Sequence, residues 1–197
     1  MNPASIPALQ DEYTARWHSD PQSGSESGLN ALILEQHRQN FALWHEEDRA
    51  RAPRAPAEQI AQTKRNIDAL NQVRNDLVEA IDRELLAQLE RSGVKLSGEF
   101  HSETPGMIID RLSILSLKIF HTQEQIERND VDSDHIQRNR DRLRVLIEQR
   151  DDLTQCLTTL WQEIQSGNRR FKLYRQLKMY NDPKLNPEIY QSRPETN

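Results

Sequence analysis

Apolar residues recur at steps of three and four along most of the chain, the spacing that places them on one face of an α-helix. The clearest seam carries six aliphatic residues and one arginine: Leu143, Leu146, Arg150, Leu153, Leu157, Leu160 and Ile164. We predict four long helices, over about 29–52, 56–91, 105–128 and 133–165. Because the connections between them are short, the predicted fold is all-α, an antiparallel bundle of four long helices.

Prolines, glycines and capping residues mark the expected helix ends. Pro53 and Pro56 separate the first two helices, and Gly93 follows the second. Thr104 is a suitable N-cap for the third helix, and Gly167 ends the fourth. The bounds of the helices therefore rest on local turn chemistry as well as on periodicity.

The composition changes at both ends of the chain. The stretch before Gly28 is rich in serine, which predicts a poorly ordered segment with room for a short helix at about 8–17. Five basic residues and no acid lie between Asn168 and Tyr180, where we predict a short basic helix. The predicted divisions are a poorly ordered segment 1–28, a bundle domain 29–167, and a basic helix with an extended tail, packed on the bundle, at 168–197.

The composition of the whole chain suits helices with narrow apolar stripes. Hydrophobic residues make up 35%, charged residues 29%, and only 6 of 197 residues are glycine, too few for a many-turned β-sandwich or barrel. No apolar run approaches the roughly 18 residues of a membrane span. A single cysteine, Cys156, excludes an internal disulfide, so we expect a reducing, cytoplasmic setting and a buried, inert thiol. The net charge of −5 argues against nucleic acid as a partner.

Polar residues interrupt the stripes where a bundle ordinarily carries leucine or isoleucine. The first helix repeats Ile33, His37, Asn40, Trp44, Glu47 and Arg51 on one face. Arg74 and Arg150 interrupt apolar seams of the second and fourth helices, and a buried guanidinium needs an acidic partner. The predicted result is a polar layer made of His37, Asn40, Glu47, Asn71, Arg74, Asn75, Asp110 and Arg150. Two interpretations fit such a layer: salt bridges that fix the helix register, or a ligand pocket between helices.

Histidines and acids also occur as pairs three residues apart: His45 and Asp48, His121 and Glu124, Glu79 and Asp82, Glu124 and Glu127. Acidic pairs of this shape hold magnesium in all-α nucleotide pyrophosphohydrolases, but such pairs are frequent on any charged helix. The start of the third helix, at 102–106, either offers backbone N–H groups to a phosphate or is simply a capped helix end. We predict no metal site and no cofactor from these features.

Four groups of motifs occur in order along the chain, at Asn40–Arg51, Lys64–Asp76, Ser102–Lys118 and Lys178–Pro183. With these motifs the chain resembles, from about Leu29 to Tyr190, a bacterial family known as domain of unknown function four-two-five-four. The resemblance implies no assigned reaction, and it implies an association with genes for bacterial polysaccharide and lipopolysaccharide. The motif positions coincide with the polar stripes: Trp44, His45, Glu47, Arg51, Lys64, Asp68, Asn71, Asn75, Asp76, Asp110, Arg111 and Lys118.

We expect the chain to bind an anionic ligand, a sugar nucleotide or a phosphorylated glycan precursor, between the first three helices. The expected site residues are Trp44, His45, Glu47, Lys64, Asp68, Asn71, Arg74, Asn75, Asp110, Arg111 and Lys118. One alternative is a non-enzymatic homo-oligomer or assembly protein, since the third helix is apolar on most sides and suits a dimer interface. A second alternative is a metal-dependent nucleotide hydrolase, so whether the chain is an enzyme stays open.

Overall fold

The structure is a computed structural model that describes residues 1–175, 177, 182 and 184–190. Residues 189 and 190 are described by their backbone alone. The long helices are α1 Ile6–Ser19, α2 Gly28–Ala50, α3 Ala57–Arg91, α4 Pro105–Glu127 and α5 Ser133–Gln165. A 3₁₀ turn at Pro3–Ser5 precedes α1, and the short helix α6 spans Pro187–Tyr190. The all-α class predicted from periodicity is confirmed. None of the helices in these ranges combines the length and the apolar character that crossing a membrane requires.

Side-chain caps define the starts of the last two long helices. Thr104 caps α4 by accepting a hydrogen bond from the Met107 backbone N–H at 3.2 Å. Asp132 caps α5 by accepting from the His135 N–H at 2.6 Å. Such caps satisfy backbone donors that have no partner within the helix. All four helices predicted from the sequence begin and end within two residues of their bounds in the structure.

The N-terminal segment differs from the prediction for 1–28, because it contains α1, which packs on α4 and α2. The buried apolar residues of α1 are Ile6, Tyr13 and Trp17. They share their face with Gln10 and Thr14, two polar side chains that are also fully buried. Because two of the five residues on this inward face are polar, its apolar periodicity is weak, and the sequence indicated only a short helix at about 8–17.

Helix α4 is the central element, since it contacts α1, α2, α3 and α5. Its apolar side chains with under 5% exposure are Ile108, Ile109, Leu112, Leu117 and Ile119. The α5 seam packs against them through residues that are also buried, Leu153, Leu157, Leu160 and Ile164. Packing within one chain therefore accounts for the apolar character of α4, which no longer argues for a subunit interface.

The C-terminal region does not form the predicted basic helix within its described residues. Arg169–Arg170 is instead a strand, β2, paired in parallel with β1, Glu99–Phe100. The approach is close: a Cβ on Gly98 would lie 2.1 Å from the Asn168 carbonyl oxygen. Phe171 is buried in the core, as expected for a segment packed on the helices, and no helix is assigned over 171–175. Residues 176, 178 and 179 of the predicted helix lie outside the described residues.

Candidate functional site

A buried polar network joins α1, α2 and α4 around His37, which is fully buried. The Thr14 hydroxyl donates to the Gln10 carbonyl oxygen at 2.8 Å, so it accepts from Nε2–H of His37 at 2.9 Å. Nδ1 of His37 then accepts from the Ser113 hydroxyl at 2.7 Å. Burial lowers the pKa of His37 to about 3, which keeps this imidazole neutral.

The network continues along α2 and α4 to a carboxylate. Asn40 donates from Nδ2 to the Ser113 hydroxyl oxygen at 2.9 Å and to Asp110 Oδ1 at 2.8 Å. Gln36 donates to the same Asp110 oxygen at 2.5 Å. Nε of Arg74, on α3, lies 3.9 Å from that oxygen. Two amides and a guanidinium therefore converge on one oxygen of Asp110.

A second group of polar contacts, which reaches α5, begins at Ser116, whose hydroxyl oxygen lies 3.3 Å from that of Thr14. The Ser116 hydroxyl donates to Asp11 Oδ1 at 2.6 Å, and Arg150 donates to Asp11 Oδ2 at 2.6 Å. Arg150, a predicted member of the polar layer, thus pairs with an acid on α1 that the sequence pattern did not indicate. The side chain of Arg150 is 17% exposed and that of Asp11 is 42% exposed, so the arginine is the more buried partner of this ion pair.

A cleft opens beside the Asp110 end of the network, between α2, α3 and α4. Its volume is about 400 Å³, within the roughly 300–1,000 Å³ typical of small-ligand sites. The lining residues of this α2–α3–α4 cleft are Asn40, Leu43, Trp44, Glu47, Asp48, Arg51, Asn71, Arg74, Ile114 and Leu117. The predicted polar layer therefore has two parts, a closed network and an open cleft, which share Asn40.

Arg74 is the least satisfied cation in the cleft. Its side chain is 25% exposed, and buried Nε has no hydrogen-bond partner among the described residues. One terminal nitrogen donates to Asn75 Oδ1 over a long 3.5 Å. A neighbouring cation, Arg51, is already paired with Glu47 at 2.8 Å. Arg74 thus retains donor capacity toward the cavity.

The structure brings together only some of the predicted ligand residues. Trp44, Glu47, Asn71 and Arg74 line the cleft, and Asp110 lies behind Arg74. The other predicted residues lie elsewhere. Lys64 and Asp68 form an exposed ion pair, Asn75 is buried, and Arg111 pairs with Glu103. Lys118 lines a second cavity, and His45 lies beside two other histidines.

The second cavity, of about 520 Å³, adjoins the cleft and shares Trp44 and Asp48 with its lining. Its charged lining residues include Asp48, Lys118 and Arg142, and His121 joins them. The Trp44 indole stacks on the His121 ring, with centroids 4.6 Å apart and planes within 8°. One ring nitrogen each of His18, His45 and His121 lies within 4.8 Å of the other two. Burial, followed by the charges of His18 and His121, lowers the pKa of His45.

The N-terminus of α4 is already bound by a carboxylate of the chain itself. Asp82, on α3, accepts from the Gly106 N–H at 2.7 Å. Burial raises the pKa of Asp82 to about 6, and hydrogen bonds from Thr104 and Gly106 partly oppose that rise. The start of α4, predicted as either a phosphate site or a capped helix end, is thus bound by a side chain of the chain itself. One acid of the Glu79 and Asp82 pair therefore has a packing role.

Cys156 differs from its prediction, because its thiol is exposed. It lines a third cavity together with Arg111, Lys118 and Asp152. On α5 the neighbouring positions Leu153 and Leu157 are buried, so the seam passes beside the cysteine and leaves it on the outer edge.

Fold and site together define an all-α protein in which a buried polar network adjoins an open, mixed-charge cleft. The chain belongs to the family described as Protein of unknown function (DUF4254), whose model matches residues 30–173. This confirms the resemblance seen in the motifs. No curated protein and no solved structure matches the chain. The matched range holds every cleft residue, whereas Asp11, Thr14 and His18 on α1 precede it.

Proposed function

We propose that the chain binds a small anionic metabolite, a sugar nucleotide or a phosphorylated glycan precursor, in the α2–α3–α4 cleft. In this proposal the long helices act as an antiparallel bundle in the bacterial cytoplasm, and the ligand belongs to cell-envelope polysaccharide synthesis. The observation that carries the proposal is Arg74, a mostly buried guanidinium with spare donors beside a cavity of about 400 Å³. Guanidinium groups bind phosphate through two parallel N–H donors, which suits this position.

The remaining cleft residues favour a ligand with few phosphates and several hydroxyls. Asn40 and Asn71 offer amide donors and acceptors, and Trp44 offers an apolar ring surface. Glu47 and Asp48 accept hydrogen bonds from sugar hydroxyls but repel additional negative charge. The formal charges of the cleft cancel, since these two acids match Arg51 and Arg74. A polyanion is thus disfavoured, whereas a sugar bearing one or two phosphates fits.

The buried network has a defined task in this proposal. Gln36 and Asn40 orient the Asp110 carboxylate, and Asp110 in turn stands 3.9 Å from Nε of Arg74. A guanidinium placed in this way loses less side-chain entropy when it binds an anion. The network and the cleft then act together, because the contacts that fix the helix register also position Arg74 for binding.

Thermal shift and calorimetry with sugar nucleotides, hexose phosphates and inorganic phosphate test the proposal. Binding to the native state stabilises it by about 2.7 kcal/mol when the ligand is 100 times above its Kd. We expect Arg74→Met to weaken binding at least tenfold. The control is Arg83→Met, an exposed position on the same helix, which should leave affinity unchanged. No stabilisation of the unmodified chain at about 1 mM of any of these ligands, or equal affinity in Arg74→Met, would refute the proposal.

A further inference from the structure

Three helices that are distant in sequence each contribute one histidine to the same point on the molecule. His18 comes from the end of α1, His45 from α2 and His121 from α4. One ring nitrogen from each lies within 4.8 Å of the other two. Half of the 6 histidines in the chain thus meet here, although none of the pairs is close in sequence.

Hydrogen bonds fix which ring nitrogen is free on two of these histidines. Nδ1 of His18 lies 2.7 Å from the Thr14 carbonyl oxygen, which only accepts, so Nδ1 carries a proton and Nε2 is the nitrogen left for a metal ion. Nδ1 of His121 lies 2.6 Å from the Glu124 carboxylate, with the same consequence. Nε2 of His121 is buried and lacks a hydrogen-bond partner in the part of the chain that the structure describes. A carbonyl or carboxylate on the far nitrogen is the usual support of a metal-binding histidine.

Aromatic rings hold the three imidazoles in place. Trp44 stacks on His121, and Phe120 stacks on His18 with centroids 4.2 Å apart. Phe41 meets the His45 ring edge to face at 4.6 Å. These contacts restrict ring rotation, so a ligand of the imidazoles would find them largely preorganised.

We propose that His18, His45 and His121 form a binding site for a divalent transition-metal ion, with Zn²⁺ as the expected occupant. Tetrahedral Zn²⁺ with Zn–N distances near 2.0–2.1 Å places its nitrogens about 3.3 Å apart. Because the three nitrogens already lie within 4.8 Å of one another, each needs to move by no more than about 1 Å to reach that spacing. Imidazole nitrogens favour zinc and its neighbours over Mg²⁺ and Ca²⁺, which prefer oxygen.

Three protein ligands leave one coordination position for water or for a ligand anion. His121 also lines the cavity of about 520 Å³ that carries Lys118 and Arg142. An anion entering this cavity would therefore meet the ion and two cationic side chains. The metal site does not depend on the α2–α3–α4 cleft, because none of the three histidines lines that cleft.

The test uses the full chain without an affinity tag, stripped with a chelator and titrated with Zn²⁺ against a competing indicator dye. We expect one Zn²⁺ per chain, a rise in unfolding temperature with Zn²⁺, and no response to millimolar Mg²⁺. His45→Ala and His121→Ala should each weaken binding by at least 100-fold, and Glu124→Gln by about tenfold. The metal-free unfolding temperature of each variant shows whether it is folded.

The matched control is His101→Ala, which should bind Zn²⁺ as the unmodified chain does. His101 lies in the loop before α4, whose first residue, Pro105, is roughly 24 Å along the helix from His121. Arg74→Met should also keep full Zn²⁺ affinity, so failure of the cleft proposal is distinguishable from failure of this one. Absence of stoichiometric Zn²⁺, or equal affinity in folded His45→Ala and His121→Ala, would overturn the site and leave an aromatic packing cluster.

Discussion

Asp82 offers the sharpest quantitative test of how the helices are joined. Its side chain is 2% exposed, yet it accepts the Gly106 N–H at the N-terminus of α4. Burial raises its pKa from 3.8 to about 6, in spite of hydrogen bonds from Thr104 and Gly106. Compared with water, the environment of Asp82 thus favours the neutral acid over the carboxylate. Replacing Asp82 by Asn keeps an acceptor for Gly106 and removes the charge.

The sign of the pH effect follows from proton linkage. Between pH 3.8 and about 6 the folded chain binds the proton of Asp82 and the unfolded chain releases it, so this group stabilises the fold less as the pH rises. A shift of about 2 pKa units corresponds to about 3 kcal/mol. Asp82→Asn should therefore be more stable than the unmodified chain by about 3 kcal/mol above pH 6, and by little near pH 4. The gain corresponds to roughly 6–12 °C in Tm for a chain of this size.

Urea unfolding at intervals from pH 4 to pH 8 measures this difference, with fluorescence of buried Trp17 and Trp161 as the signal. The difference between variant and parent is the informative quantity, because His37 contributes an opposite pH dependence to both. Asp141→Asn is the control, an exposed position with the same change of charge. A constant difference across this pH range would refute the reasoning, even if Asn weakened the anchor at every pH.

Two other substitutions test the packing and the network. Gly106→Ala would place a Cβ 2.8 Å from both Asp82 Oδ1 and the Val78 carbonyl oxygen. We expect the free energy of unfolding, measured in urea, to fall by about 1–3 kcal/mol. A fall under about 0.5 kcal/mol would contradict the close approach of α3 and α4. His37→Leu leaves two buried hydroxyls without their partner and should cost about 2–4 kcal/mol at pH 7. That cost should shrink below pH 6.5, because only the unfolded parent chain gains a proton there, and a pH-independent cost would argue against a neutral His37.

The long helices were predictable because their signals are local and agree with one another. Thr104 and Pro105 mark the start of α4, and the steps of three and four through Leu153 and Leu157 define the face of α5. Helix α1 was harder to predict, since its inward face carries Gln10 and Thr14, whose burial depends on partners more than 20 residues away. The pairing of β1 with β2 is likewise a long-range contact without a local signal.

The site was predictable only in part, because spacing reports which residues share a face but not which bind each other. Glu47 and Lys64 were expected inside, yet each pairs with an opposite charge four residues away on its own helix. Arg74 and Arg150 have no acid three or four residues away in either direction, and both reach an acid on another helix. At these two positions, the lack of an acid three or four residues away was therefore the signal of a tertiary contact.

Helices α2 and α4 contribute residues to both parts of the candidate site, whereas α3 supplies Arg74 to the cleft alone. On α4, Asp110, Ser113, Leu117 and His121 follow one another at steps of three and four, so they form one stripe from the cleft to the histidines. On α2, Trp44 lies at the junction of the two sites, since it lines the cleft and also stacks on His121. A rigid pair of helices thus sets the distance between the proposed anion site and the proposed metal site. Helix α1 completes only the second, because it supplies His18 and leaves the cleft untouched.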